Sequence, residues 1–169
     1  MKTGIIIAMA ALSLAIFAVP DTPAQAWGGW HRGPDVNQRL AGSSLTVEVD
    51  EDGNTQVMLN LIAKGQPGTA HLDSVAVFGP VGPNENCPGQ LGADIISQNA
   101  VETFSDGSLL TLLTTAGFVC TADGVVFTAV ATGDITGGAG RFEGAGGTFE
   151  ANVVTENSGL TGKLTADLN

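Results

Sequence analysis

Residues 45–63 read LTVEVDEDGNTQVMLNLIA, the clearest strand–turn–strand pattern in the chain. Apolar residues stand at every second position of residues 45–49, and again of residues 57–63. Such a period of two indicates β-strands with one buried face, and the intervening Asp52-Gly53-Asn54 is typical of a tight turn. The stretch therefore predicts a β-hairpin, and it sets the pattern for the rest of the chain.

Short apolar runs and glycine-containing turns continue to alternate up to the carboxyl terminus. Further strands are predicted at residues 71–78, 101–104, 109–114, 125–135, 149–155 and 160–168. Most are joined by pairs such as Asp106-Gly107 and Asp123-Gly124, and residues 79–92 form the longest loop. A parallel α/β sheet is excluded because no segment has the helical period of a crossover helix. About eight strands in meander order predict an all-β fold, either a closed eight-stranded antiparallel β-barrel or a β-sandwich.

Composition and charge restrict the classes of function. The chain has 169 residues, of which 43% are apolar, and 17 acidic against 6 basic residues give a net charge of −11. This apolar share is too high for an intrinsically disordered protein. A surface that binds nucleic acid requires clustered Lys and Arg, so we expect no nucleic acid partner.

The amino terminus has the three-part layout of a secretory signal peptide. Lys2 supplies a positive charge, residues 4–20 are uncharged and mostly apolar, and the small-x-small sequence Ala24-Gln25-Ala26 follows them. This layout predicts cleavage between Ala26 and Trp27. The competing interpretation is a transmembrane anchor, because the apolar run has about the minimum spanning length.

Cleavage would leave a mature chain of two parts. Residues 1–26 would be removed, residues 27–42 lack an apolar period and are interpreted as a flexible lead-in, and residues 43–169 are expected to form a single β-barrel domain. No second apolar run approaches spanning length. We therefore expect an exported protein, secreted or periplasmic, without a membrane span.

Export also determines how the two cysteines are interpreted. In an oxidising compartment an even number of cysteines favours a disulfide, and Cys87 and Cys120 allow one intramolecular pairing. A metal site needs more ligands than two thiols, and the histidines lie far away in sequence without zinc-like spacing. We therefore expect a disulfide, and neither a metal nor a cofactor.

A glycine-rich stretch, residues 133–151 with the sequence GDITGGAGRFEGAGGTFEA, precedes the last predicted hairpin. Closely spaced glycines allow positive φ angles and a close approach of two backbones, as a tight corner requires. The residues assigned to this structural turn are Gly137, Gly138, Gly140, Phe142 and Gly144. A phosphate-binding loop is excluded because no Lys-Ser/Thr and no helix follow.

This stretch resembles the Gly-Gly-x-Gly-Arg-Phe-x-Gly-Ala-x-Gly signature of bacterial exported proteins in the allene oxide cyclase barrel group. Dirigent proteins carry a similar turn. The resemblance covers residues 43–168 and implies a closed eight-stranded antiparallel barrel. In plant allene oxide cyclases a fatty-acid epoxide cyclises inside the barrel, and dirigent proteins steer the radical coupling of phenols. No catalytic residue of either can be matched here, so the resemblance implies a fold and not an activity.

Five side chains are candidates for contact with a ligand inside the barrel. His71 and Asp73 share one face of a predicted strand, but the opposite face is more apolar and competes for the interior. Glu102 and Glu150 could each be interior polar groups, where burial would raise the carboxyl pKa and allow acid–base chemistry. Arg141 either contacts a ligand or caps carbonyls and pairs with a carboxylate.

Three functions fit these observations. The first is an exported barrel that binds a small apolar or aromatic molecule in its interior, since eight strands leave room for one such ligand. The second is a non-catalytic structural or surface protein whose barrel is packed with side chains. The third is an isomerase or cyclase of the allene oxide cyclase type. A homo-oligomer is compatible with each, and catalytic residues are not assigned.

Overall fold

The computed structural model describes residues 36–169, which form one antiparallel sheet. The predicted signal peptide, its cleavage site and the first part of the lead-in lie outside the described residues. The elements are β1 (Val36–Val49), β2 (Thr55–Gln66), β3 (Thr69–Phe78), β4 (Gly82–Pro83), β5 (Leu91–Phe104), β6 (Leu109–Thr121), β7 (Val126–Ala139), the 3₁₀ helix η1 (Gly140–Phe142), β8 (Gly147–Glu156) and β9 (Gly159–Leu168). Within these residues, no helix is long and apolar enough to cross a membrane.

Hydrogen bonding closes the sheet into a barrel. The strand order is β3-β2-β1-β9-β8-β7-β6-β5-β4, and a further pairing of β3 with β5 joins its two sides. The two-residue β4 pairs with β5 beyond the end of β3, so eight strands form the wall, each antiparallel to its neighbours. The predicted closed eight-stranded antiparallel barrel is confirmed. A β-sandwich is excluded, because the β3–β5 pairing leaves one continuous sheet.

β1 begins earlier than the sequence predicted. Residues 36–42, expected in a flexible lead-in, form the first half of β1 and pair with both β2 and β9. On the inner face, Gln38 stands between Val36 and Leu40, and all three side chains are buried. A polar residue thus interrupts the apolar alternation, which removes the strand signal.

β5 is also longer than predicted. It spans Leu91–Phe104, whereas the sequence indicated a strand at residues 101–104. In the first half of β5 the adjacent Ile95 and Ile96 face opposite sides of the wall, and Ile96 is exposed, so neither face shows a continuous apolar alternation. A bulge opposite Phe78 shifts the phase as well.

The strands define two ends of the barrel. The closed end holds the start of β1 and the β2–β3, β5–β6 and β7–β8 connections, and the open end holds the β1–β2, β6–β7 and β8–β9 turns and residues 79–90. The hydrophobic core is concentrated towards the closed end. Its large members include Leu40, Leu72, Phe104, Leu110, Leu112, Ile135, Phe142, Phe149, Leu164 and Leu168.

The glycine-rich stretch builds a corner of the closed end. β7 continues to Ala139 rather than ending at the first glycines, since Gly137 and Gly138 lie within the ladder. Gly140, at a φ of +67°, then starts η1, and Phe142 turns into the core. A Cβ at Gly138 would lie 2.7 Å from the carbonyl oxygen of Leu109, so this position requires close backbone approach. Gly144 has a positive φ in the following turn.

The predicted disulfide between Cys87 and Cys120 is confirmed, with 5.5 Å between the two Cα atoms. It links the loop that follows β4 to the carboxyl end of β6 at the open end, where Cys120 pairs with Gly92. A Cβ on Gly92 would meet the Cys87 sulfur, so the loop lies directly on β5. A disulfide is compatible with an oxidising, exported environment.

Candidate functional site

The inner face of the barrel is buried at the closed end, whereas some of its large apolar side chains nearer the open end are only partly buried. Leu59 on β2, Phe127 on β7 and Val153 on β8 face inward by register, yet each is partly exposed. An inward side chain in a closed barrel is exposed only through the interior and its mouth. We call the inner face around Leu59, Phe127 and Val153 the recess, because solvent reaches it from the open end.

Three polar side chains on neighbouring strands are hydrogen-bonded to one another on the inner face, beside this recess. Gln98 on β5 donates from Nε2 to the Ser74 hydroxyl on β3, over 3.1 Å. The Thr114 hydroxyl on β6 donates to Gln98 Oε1, over 3.0 Å. The amide of Gln98 is thus engaged on both sides, and it forms a fixed polar band between the mouth and the deeper core.

Glu102 lies deeper on the same inner face of β5, and its side chain is fully buried. Ala100 and Phe104 flank it along the strand, and Leu72 and Leu110 are its partners across the neighbouring strands. Both carboxyl oxygens lack a hydrogen-bond partner. Desolvation by these apolar neighbours raises the pKa of Glu102 to about 7.

Gln38 on β1 is a second fully buried polar side chain in the same core. Its Nε2 donates to the carbonyl oxygen of Gly68 over 3.4 Å, while its Oε1 has no partner. Its neighbours on the strand, Val36 and Leu40, belong to the hydrophobic cluster that also contains the flanking residues of Glu102. The interior therefore holds oxygen atoms on two strands whose hydrogen bonds are unmade.

His71, Asp73 and Glu150, the other acidic and histidine candidates, lie on the outer surface. His71 and Asp73 are exposed, and Asp73 accepts a hydrogen bond of 2.6 Å from the Asn60 amide. Glu150 is also exposed and accepts one of 2.7 Å from the amide of Asn152. The fold therefore does not bring these three side chains together with Glu102.

Arg141 belongs to the closed end. Its Nη1 lies 2.9 Å from Asp106 Oδ2, and its guanidinium carbon lies 4.7 Å and 4.8 Å from the ring centres of Phe104 and Phe142. These distances fit a cation–π stack beside a surface ion pair. Arg141 thus covers the core from outside, at the end opposite to the recess.

The outer surface carries a shallow open groove of about 530 Å³. Leu45, Met58, Val75 and Val101 supply its apolar lining, and Asp73 lies among them. None of the unpartnered buried atoms of residues 36–169 borders this groove. The recess therefore has the stronger chemical basis for ligand binding.

The open end is acidic. Its turns and strand ends carry Glu48, Asp50, Glu51, Asp52, Glu85, Asp94, Asp123 and Glu156. A hydrogen bond from the Asn54 side chain, with backbone N–H groups, lowers the pKa of Asp50, and the backbone N–H groups of Val126 and Val125 lower that of Asp123. Among residues 36–169, the Lys and Arg side chains lie at the closed end or along the outer wall.

Comparison with known proteins does not assign the chain to a family. No family model matches the chain, and no curated protein matches it. Among solved structures, the chain is similar to the pterocarpan synthase dirigent protein GePTS1, with 10% sequence identity and a TM-score of 0.48. The match covers 84% of this chain and 87% of that one. The barrel itself is established by its strand pairing, and the likeness to a dirigent protein is one of fold alone.

Proposed function

We propose that this chain is an exported barrel protein that binds a small apolar or aromatic molecule in its interior. The observation that carries the proposal is the fully buried Glu102, whose two carboxyl oxygens have no partner. Buried polar groups in proteins are nearly always hydrogen-bonded, and the exceptions call for an explanation. A ligand that enters from the open end, through the recess, would supply the hydrogen-bond partner that the Glu102 carboxyl lacks.

A barrel packed solidly with side chains is the competing function. It predicts a buried inner face throughout, as in the core of the closed end. Leu59, Phe127 and Val153 depart from that expectation at the open end. The contrast favours ligand binding over a purely structural role.

The interior can be tested with two adjacent valines. Val153 faces inward, and Val154 on the same strand is 43% exposed on the outer wall. The Val153→Trp variant should fill the recess and weaken binding of the neutral fluorescent probe N-phenyl-1-naphthylamine at least about tenfold, whereas Val154→Trp should bind like the parent. Equal binding by both variants, or no binding by the parent, would refute an interior site.

Export and cargo are tested on protein from the producing cell. Intact-mass spectrometry of the exported fraction should give a chain that begins at Trp27. Native mass spectrometry of the same sample should give an added mass that organic solvent releases. A chain that retains residues 1–26 in the membrane fraction would contradict export, and a bare mass from freshly collected protein would count against a tightly held cargo.

An isomerase or cyclase is the second candidate, and Glu102 is again the residue that favours it. A carboxyl group with a pKa of about 7 can give or take a proton near neutral pH. If the barrel converts its ligand, Glu102→Gln should abolish turnover while the naphthylamine probe still binds. Retained turnover in that variant would exclude Glu102 as the acid or base.

A further inference from the structure

The unpartnered polar atoms of the interior are all of one kind. They are Glu102 Oε1, Glu102 Oε2 and Gln38 Oε1, and each is a hydrogen-bond acceptor when Glu102 is ionised. Within residues 36–169, no buried side-chain donor is left unpaired. When Glu102 is ionised, a ligand that complements this interior must therefore donate hydrogen bonds rather than accept them.

The charge around the entrance indicates the sign of the ligand. The mouth carries the carboxylates of the open end, and no Lys or Arg among residues 36–169 lies in its turns. Asp50 and Asp123 hold their positions by accepting backbone hydrogen bonds, so their charges are fixed in the rim. Such a field concentrates cations at the entrance and repels anions.

We propose that the molecule bound in the barrel is a hydrophobic cation, an amine on an apolar or aromatic body, with Glu102 as its counter-ion. This inference rests on the proposed function, because it requires a ligand in the interior. An ammonium group donates three hydrogen bonds and compensates the charge of a buried carboxylate. An alcohol donates one hydrogen bond and leaves that charge uncompensated. The Gln38 amide oxygen is a further free acceptor in the same core.

Between Glu102 and the Gln98 band, the inner wall carries small side chains on two strands. On β5, Ala100 stands between Glu102 and Gln98, and its partner on β3 is Ser74. The apolar body of the ligand would occupy the recess, beside Val153 and Phe127. Within residues 36–169 no group of three metal-binding side chains exists, so a metal ion fits this interior less well than an organic cation.

Glu102 is not surrounded by other charges. The charged and titratable groups on the elements packed against it are exposed on the outside of the barrel: Arg39, Glu48, Lys64, His71, Asp73, Asp94, Asp134, Arg141, Glu143, Glu150, Glu156, Lys163 and Asp167. Binding of an ammonium therefore depends on the ionisation of Glu102 itself. Affinity for the amine should rise as pH increases through about 7, the pKa of the empty site.

Three probes of one shape separate charge from size. We would measure 1-naphthylmethylamine, 1-naphthylmethanol and 1-naphthoic acid by calorimetry at pH 8 and low salt, with the complete exported chain. The amine should bind at least about tenfold more tightly than the alcohol, and the acid should not bind. Glu102→Gln should reduce the amine to the level of the alcohol and leave the alcohol unchanged. Glu150→Gln removes one exposed carboxylate and is the matched control, which should bind like the parent.

The outcomes distinguish the cation inference from the proposed function. Binding of amine and alcohol with equal affinity, sensitive to Val153→Trp, would overturn the cation and keep the interior site. An amine preference that survives Glu102→Gln but disappears in 0.5 M salt would assign it to the acidic rim and overturn the counter-ion role. If none of the probes binds, both proposals fail. Should Glu102→Gln not fold, Glu102→Leu provides the same test with a side chain of similar volume.

Discussion

The two ends of this barrel solve the same packing problem differently. At the closed end, leucine and phenylalanine side chains fill the interior, and Arg141 stacks on Phe104 and Phe142 from outside. At the open end, the inner face carries smaller or partly buried side chains, and a disulfide holds the surrounding loop. One wall of hydrogen bonds thus joins a tightly packed half and a less tightly packed half.

The difference shows which part of the chain provides stability and which part is free for function. Buried apolar area stabilises the closed end at about 25 cal/mol per Å². The open end gives up part of that contribution and retains a recess with an acidic rim. Glu102 and Gln38 are buried polar side chains within the packed half, on the side of Gln98 that faces away from the open end.

The largest effect is expected when the disulfide at the open end is removed. Cys87 and Cys120 are separated by 33 residues, and closing such a loop stabilises a fold by about 4 kcal/mol in the chain-entropy model. The Cys87→Ser/Cys120→Ser double variant should lose about that amount in urea unfolding. The parent measured under reducing conditions is the control and should match the variant. A loss below about 1 kcal/mol would mean that the open end does not depend on the link.

A matched pair of leucines compares the packing of the two halves. Leu110 is 1% exposed in the closed end, whereas Leu59 at the recess is only partly buried. Leu110→Ala should cost about 3 kcal/mol, because it creates a cavity in a packed core, and Leu59→Ala should cost about 1 kcal/mol. Urea unfolding measures both. Equal costs would show that the open half is packed as tightly as the closed half.

The sequence was informative where one face of a strand is apolar throughout. Residues 57–63 and 160–168 alternate cleanly, and both form strands that contribute to the closed core. The signal failed in residues 36–42 and in residues 91–100, where inner positions carry Gln38 or Gln98. These polar inner residues belong to the candidate site. The polar side chains that interrupt the apolar alternation are therefore also the ones proposed to act in ligand binding.

The candidate site itself was predictable only in part. The phase of Glu102 with Phe104 indicated an interior carboxyl, but the same argument applied to Glu150, which is exposed. Which face points inward depends on register and bulges, and these are set by pairing between distant strands. Gln38 was missed because its segment lacked an apolar period. The signal available was the spacing, because Gln38 has an apolar residue two positions before it, Val36, and another two positions after it, Leu40.

The third expected effect concerns Glu102 and the pH dependence of stability. In the unfolded chain this carboxyl ionises near pH 4.5, whereas in the barrel burial raises its pKa to about 7. Stability from the protonated group is complete below pH 4.5 and is lost as pH rises through about 7, which amounts to about 3 kcal/mol. Ligand-free Glu102→Gln should therefore equal the parent near pH 4 and exceed it by about this amount at pH 8.

The difference between parent and variant isolates Glu102 from the carboxylates of the surface. Asp50, Asp106 and Asp123 have lowered pKa values, so their contributions are lost on acidification, in the opposite direction. These contributions are the same in both proteins and cancel in the comparison. Glu150→Gln, which removes an exposed carboxylate from the outer wall, is the matched control variant. If the curves for the parent and Glu102→Gln ran parallel from pH 5 to pH 8, Glu102 would have to be solvated, and the boundary between the sealed and open halves would lie deeper in the barrel.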